Sequence, residues 1–271
     1  MFLFKLLSTP LLIAVATLLM RRWGPAVGGA FASMPLMSGP VSVFFLLEQG
    51  PEFAASSAVA SMMGLACVGA FGLAYRHASR HMSWFPSTVV SLSVFFALTL
   101  ILRPLARTPL PTLCLSCGLL ALFVALLGRL PKHGRPAPSL WWDLPLRMTV
   151  AGILILLLTG GASLLGPVWG GFLSVFPVFT VLMAAFTQAE CGPDTVALLI
   201  HSSLVGQTGT IVFSFVVAEC VTTLGGAVTY PLALLSCLTV NGLLLAIMHH
   251  RHAHPSKIRR LERHRRTPAR T

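Results

Sequence analysis

The amino-acid sequence predicts an all-α integral membrane protein of about nine transmembrane helices, arranged as two inverted four-helix repeats joined by one linker helix (4+1+4). Three observations carry this prediction. The composition is too apolar to cover a soluble surface, the basic charge gathers in alternate connections, and the chain repeats itself at a shift of 142 positions, from 24 to 166.

Apolar residues make up 55% of the chain and charged residues only 10%, with a mean hydropathy of +0.84. A soluble domain needs polar atoms all round, whereas here apolar runs of about 20 residues recur, the length that crosses a hydrocarbon core of about 30 Å. These runs predict spans at 3–20, 25–47, 53–75, 83–102, 109–128, 147–165, 168–188, 195–218 and 227–248. In lipid each helix must satisfy its own backbone, so packing between helices holds such a chain together.

A net charge of +12 would draw nucleic acid if it lay on one solvated face, but eight of the 19 basic residues follow Met248 and most others fall in short connections. That is topogenic charge, retained in the cytoplasm. With nine spans and a cytoplasmic tail the N-terminus lies outside. The inner side then holds Arg21, Arg22, Arg76, Arg80, Arg129, Lys132, Arg135, Arg147 and the tail's eight, leaving Lys5, Arg103 and Arg107 outside, 16 against 3. The expectation is a multi-pass protein of the bacterial inner membrane, with no nucleic-acid partner.

The repeat carries Gly24-Pro25 onto Gly166-Pro167, Gly28-Gly29 onto Gly170-Gly171, Pro35 onto Pro177 and Glu48 onto Glu190. In the same register Gly50-Pro51-Glu52 meets Gly192-Pro193-Asp194, and Ser61, Gly64 and Phe71 meet Ser203, Gly206 and Phe213. A three-residue insertion then lets Pro86 match Pro231. The domain division follows: 1–102 is the first four-span unit, 103–142 a linker span and loop, 143–248 the second unit, and 249–271 a His/Arg-rich tail. Five spans precede the second unit, and an odd number inverts it relative to the first.

The stretch Gly28-Gly29-Ala30-Phe31-Ala32-Ser33-Met34-Pro35-Leu36-Met37-Ser38 resembles the signature of the GlpM-like small four-span membrane proteins. The resemblance covers each unit once, most closely over 20–75 and more loosely over 162–217. It implies two tandem copies of such a unit and no assigned substrate or catalytic residue; the doubling and the added span depart from the family.

Pro35 and Pro177 fall at one register near the middle of their spans, where proline removes a donor and frees the carbonyl four residues back, at Phe31 and Leu173. Paired breaks at mid-depth point to a substrate path, and the alternative is a kink eased by the paired glycines for close packing. Of seven acidic residues, four (Glu48, Glu52, Glu190 and Asp194) sit in the two matched turns. Glu48 and Glu190 are candidates for proton or cation exchange, one from each side, or else interfacial turn residues; Glu52 and Asp194 suit the first turns of the helices that follow. On the eighth span Ser203, Gln207, Thr210 and Ser214 form one helical stripe, either a polar path or interhelical hydrogen bonding. His201, in the same span, is a proton-coupling or substrate candidate against the alternative of a hydrogen-bonded structural histidine.

Cys114 and Cys117 form a C-x-x-C inside an apolar run, with no second pair to complete a metal site. The tail from His249 reads as disordered or lying on anionic lipid headgroups, with His249, His250, His252 and His254 a weak metal motif. No phosphate loop, HExxH or soluble lobe is present, so neither an enzyme nor a cofactor is expected. Beyond the bilayer and its anionic lipids, the expected partner is an unidentified small solute; the sequence leaves oligomeric state open. Two function classes remain: a secondary transporter or channel for that solute, or a noncatalytic scaffold or accessory subunit.

Overall fold

The computed structural model describes residues 11, 14–15, 17–24, 27, 31, 34–35, 38–128, 130–131, 145–146, 148–150, 153 and 166–253, without the side chains of 166–167, 173, 245 and 247–253. Residues 17–23 are helical. They are followed by α1 (Ser38–Gln49), α2 (Pro51–Ala78), α3 (Trp84–Leu102), a short 3-10 turn, α4 (Pro109–Leu126), α5 (Gly166–Ser174), α6 (Val178–Cys191), α7 (Pro193–Leu224) and α8 (Gly226–Ala253). No strand occurs among the described residues. Five stretches, Pro51–Ala78, Trp84–Leu105, Pro109–Leu126, Pro193–Leu224 and Gly226–Leu244, are long and apolar enough to cross a membrane. The chain is a membrane-embedded helical protein.

Proline starts several of these helices. In α2, α4 and α7 it occupies the first turn, where its missing N–H is no loss and its fixed φ is already helical. Before α2 and α7 the chain turns on Gly50 (φ 90°, ψ 173°) and Gly192 (φ 82°, ψ 177°), backbone conformations that only glycine adopts readily. Each glycine N–H donates four residues back, to Leu46 O and to Gln188 O, both at 3.1 Å. One turn has thus been built twice, at the positions the repeat register pairs.

Helices α2 and α7 form the centre, packed on each other. Burial separates them from the rest: 89% of the apolar window of α2 and 61% of that of α7 are buried, against 28% for α3, 17% for α4 and 22% for α8. The last three therefore present most of their surface to lipid. α3 lies beside α2 and α8 beside α7, α1 packs on α2 and α6 on α7, α5 covers α2, and α4 leans on both central helices. The inner face of α3 is a stripe at spacings of four, Ser87, Ser91, Phe95 and Thr99, whose small hydroxyl residues let it approach closely. Phe95 meets Phe176 edge to face at 5.5 Å between ring centroids and Phe96 lies tilted against it at 5.8 Å, fixing α3 against the α5–α6 junction.

Side-chain contacts define the two ends of the bundle. At one end Thr187 donates to the Met20 sulfur at 3.7 Å, and Gln188 Nε2 donates to Ser79 O (3.3 Å) and Met82 O (2.8 Å). At the other end the Arg103 guanidinium lies 4.9 Å over the Trp169 ring, and Leu46 presses on Gly226.

The expected boundaries hold for α3 and α4 but fall short elsewhere. α2 continues past 75 to Ala78, so Arg76 is helical rather than part of a connection. α8 continues past 248 to Ala253, so His249, His250 and His252 belong to a helix rather than an irregular tail. For α2 the cause is that Arg76 and His77 in the last turn complement the helix dipole and do not end the helix, although they do end an apolar run. Most of the expected spans at 147–165 and 3–20, Gly28-Gly29, the basic residues Lys5, Arg129, Lys132, Arg135 and Arg147, and the tail from 254 lie outside the described residues.

Candidate functional site

Both predicted breaks are present. Residues 34–35 are non-helical between the helical Phe31 and α1, and Val175, Phe176 and Pro177 separate α5 from α6. Pro35 and Pro177 are buried, and each restarts the helix in the same way: Gly39 N–H donates to Pro35 O at 2.9 Å, and Val181 N–H to Pro177 O at 2.7 Å. The expected free carbonyl at Phe31 is corrected, because Met34 N–H donates to it at 3.2 Å. A chain leaving a helix tightens into an i→i+3 turn when that satisfies a carbonyl which lipid cannot.

At the second break the polar backbone is met from another helix. Ser61 Oγ of α2 lies 2.8 Å from Ser57 O, 3.1 Å from Gly171 O and 3.0 Å from Ser174 Oγ, while Ser174 donates to Gly171 O at 2.7 Å. Two hydroxyl protons serve this cluster, so Ser61 can donate to only one acceptor at a time. The approach depends on glycine at two positions. A Cβ at Gly171 would collide with Ser57 O and lie 2.6 Å from Ala60 Cβ, and one at Gly64 would lie 2.5 Å from Val175. Sequence reasoning paired Ser61 with Ser203 but missed its contact with Ser174, a partner 113 positions away that no local pattern marks.

The stripe on α7 is interior. Ser203, Gln207, Thr210 and Ser214 are all buried, His201 is half-buried, and Ser203 Oγ and Gln207 Oε1 have no hydrogen-bond partner. A buried polar atom without a partner costs about 1–3 kcal/mol, so two on one face call for an explanation beyond packing. A third is the Oδ1 of Asn241, whose side chain lies 2.6 Å from where Gly209 would carry a Cβ. Near the first break, a Cβ at Gly39 would meet Phe213 of α7 at 3.6 Å and Pro35 at 4.0 Å, so α7 lies against the segment that carries Pro35.

The glutamates are not brought to this region. Glu48 is exposed just before the start of α2, whereas Glu190 is half-buried beside the Gln188 contacts near its other end. The 28 residues of α2 put about 40 Å between them. Glu52 and Asp194 are exposed in the first turns of α2 and α7. Cys114 is exposed and Cys117 half-buried, both as free thiols.

An apolar groove of about 650 Å³ opens between α2, α3 and α4, lined by Leu73, Val94, Leu98 and Phe123 among others. Its one polar side chain is His77, whose Nδ1 lies 2.9 Å from Leu73 O of its own helix. No family model matches this chain, and no curated protein or solved structure is significantly similar to it.

Proposed function

We propose that this protein is a secondary transporter or channel for a small solute in the bacterial inner membrane, with its path between two inverted four-helix units and its site at the level of Pro35 and Pro177. The observation that carries this reading is the pair of broken helices: both break at a register-matched, buried proline and both restart on that proline's carbonyl. The unpartnered Ser203 Oγ and Gln207 Oε1 on α7 support a polar lining of this path. The 4+1+4 arrangement is supported by the pairwise packing, in which α1–α2, α2–α3 and α3–α6 have counterparts in α6–α7, α7–α8 and α8–α1 while α4 touches both central helices. The two ends sort consistently with an outside N-terminus and a cytoplasmic C-terminus. Met20, Ser79, Met82 and Gln188 meet on the side assigned to the cytoplasm, and Leu46, Arg103, Trp169 and Gly226 on the other.

The test is a solute-flux screen in proteoliposomes. A solute moved by the unmodified protein should be moved at least roughly tenfold more slowly by Gln207→Leu, the loss of one polar contact worth about 1.4 kcal/mol. Glu48→Gln and Glu190→Gln should each abolish movement against a gradient while leaving insertion intact, since orientation follows lysine and arginine. Absence of flux across the screen would favour the scaffold reading. Reporters fused before Met1 and after Thr271 that read the same side would remove the inverted arrangement.

A further inference from the structure

The end of the bundle where α2 finishes buries a cation. Arg76 lies one turn beyond Gly72, whose Cβ would meet Leu204 and Ile200 of α7, so the arginine continues the stripe of α2 that faces α7. It is 2% exposed, and its Nε and Nη1 have no hydrogen-bond partner. The charges acting on it are Arg80, of the same sign, and Asp194 in the first turn of α7, of opposite sign. Asp194 is exposed, and no described carboxylate takes up the two buried donors. A guanidinium does not shed its proton in a protein, so the charge persists and calls for an anion.

A second observation points the same way. α7 begins near this arginine, at Gly192-Pro193-Asp194, and its N-cap residue, a glycine, offers no side-chain cap. A helix of 32 residues directs the positive end of its dipole into the region that Arg76 faces. Gln188 fastens the turn that follows Arg76 by donating to Ser79 O and Met82 O. The feature belongs to one end only, because the register-matched position of Arg76 is Ala218.

We propose that Arg76 and the first turn of α7 form a binding site for an oxyanion group, a phosphate or carboxylate, reached from the end that carries Arg76 and Arg80. The arginine fork supplies two parallel N–H donors, the geometry that recognises such groups. The group can come from a free solute or from an anionic lipid headgroup. The proposal does not depend on the path assigned to the broken helices.

Thermal unfolding of the full chain in phosphatidylcholine nanodiscs, titrated with inorganic phosphate and with sulfate against chloride, tests it. A saturable rise in Tm with either oxyanion identifies a solute site. A rise only when phosphatidylglycerol replaces phosphatidylcholine identifies a headgroup site, and both outcomes support the shared chemistry. Arg76→Gln should abolish the response. Asp194→Asn, which removes the facing carboxylate and keeps the arginine, should lower the half-saturating concentration roughly threefold or more. The proposal is overturned if neither oxyanion nor phosphatidylglycerol stabilises the unmodified protein, or if folded Arg76→Gln keeps its half-saturation. Should Arg76→Gln fail to fold, an unchanged half-saturation in Asp194→Asn overturns it.

Discussion

At their starts α2 and α7 are nearly the same object. Each follows a glycine at φ near +90° whose N–H reaches back four residues, each opens on proline, and each carries a carboxylate in its first turn. One turn further in, Ala54 N–H and Val196 N–H donate to the two glycine carbonyls at 3.2 and 3.4 Å. Inside the membrane they part. Ser61 of α2 has its hydroxyl engaged at the α5 backbone, whereas the matched Ser203 of α7, equally buried, has none. Leu65 of α2 is matched by Gln207 of α7, and Arg76 by Ala218. The backbone that positions the helices is the same in both; the polar chemistry is not. Between these two helices packing accounts for the shared starts, while the differing residues, costly in lipid without partners, join the paired breaks as places where function is to be sought.

The largest effect should come from the contact that brings α5 onto α2. Gly171→Ala sets a methyl against the Ser57 carbonyl, a backbone atom that cannot turn aside, and should cost about 3 kcal/mol or more, read as lost yield or a collapsed thermal transition in detergent. Gly209→Ala, where the obstacle is the Asn241 side chain, should cost less because a side chain can rotate. If the two variants are equally stable, α5 does not sit on α2 as closely as described.

The likeness of the two turns is tested by Gly50→Ala and Gly192→Ala. Each forces a Cβ into a backbone region nearly confined to glycine and should cost about 1–3 kcal/mol, the two values agreeing within about 0.5 kcal/mol. A large inequality in denaturant unfolding would show that the turns are equivalent in shape but not in load.

The smallest effect sharpens the difference between the helices. Ser61→Ala should lose about 0.6–1.7 kcal/mol, the range for hydrogen bonds between membrane helices. Ser203→Ala should be neutral or slightly stabilising, because no partner is lost. Equal losses at both positions would mean that Ser203 has a protein partner and that its polarity needs no solute.

Sequence by itself determined that the chain is helical and membrane-embedded, the core limits of α3 and α4, the paired glycine turns and the two proline breaks. These follow from local physics: apolar runs long enough for a bilayer, φ confined by proline and released by glycine, and a donor missing at a fixed position. Only the tertiary structure decided what those breaks present. Whether the Phe31 carbonyl stays open depends on how the chain turns at Met34, and whether Ser61 is engaged depends on α5 arriving from more than a hundred residues away. Arg76 was legible as a charge at the end of an apolar run, but a one-dimensional pattern cannot tell a topogenic arginine in solvent from one pressed into the seam with α7. Burial is set by what packs around a residue, and in this fold two of the helices packed on α2, α5 and α7, come from the other half of the chain.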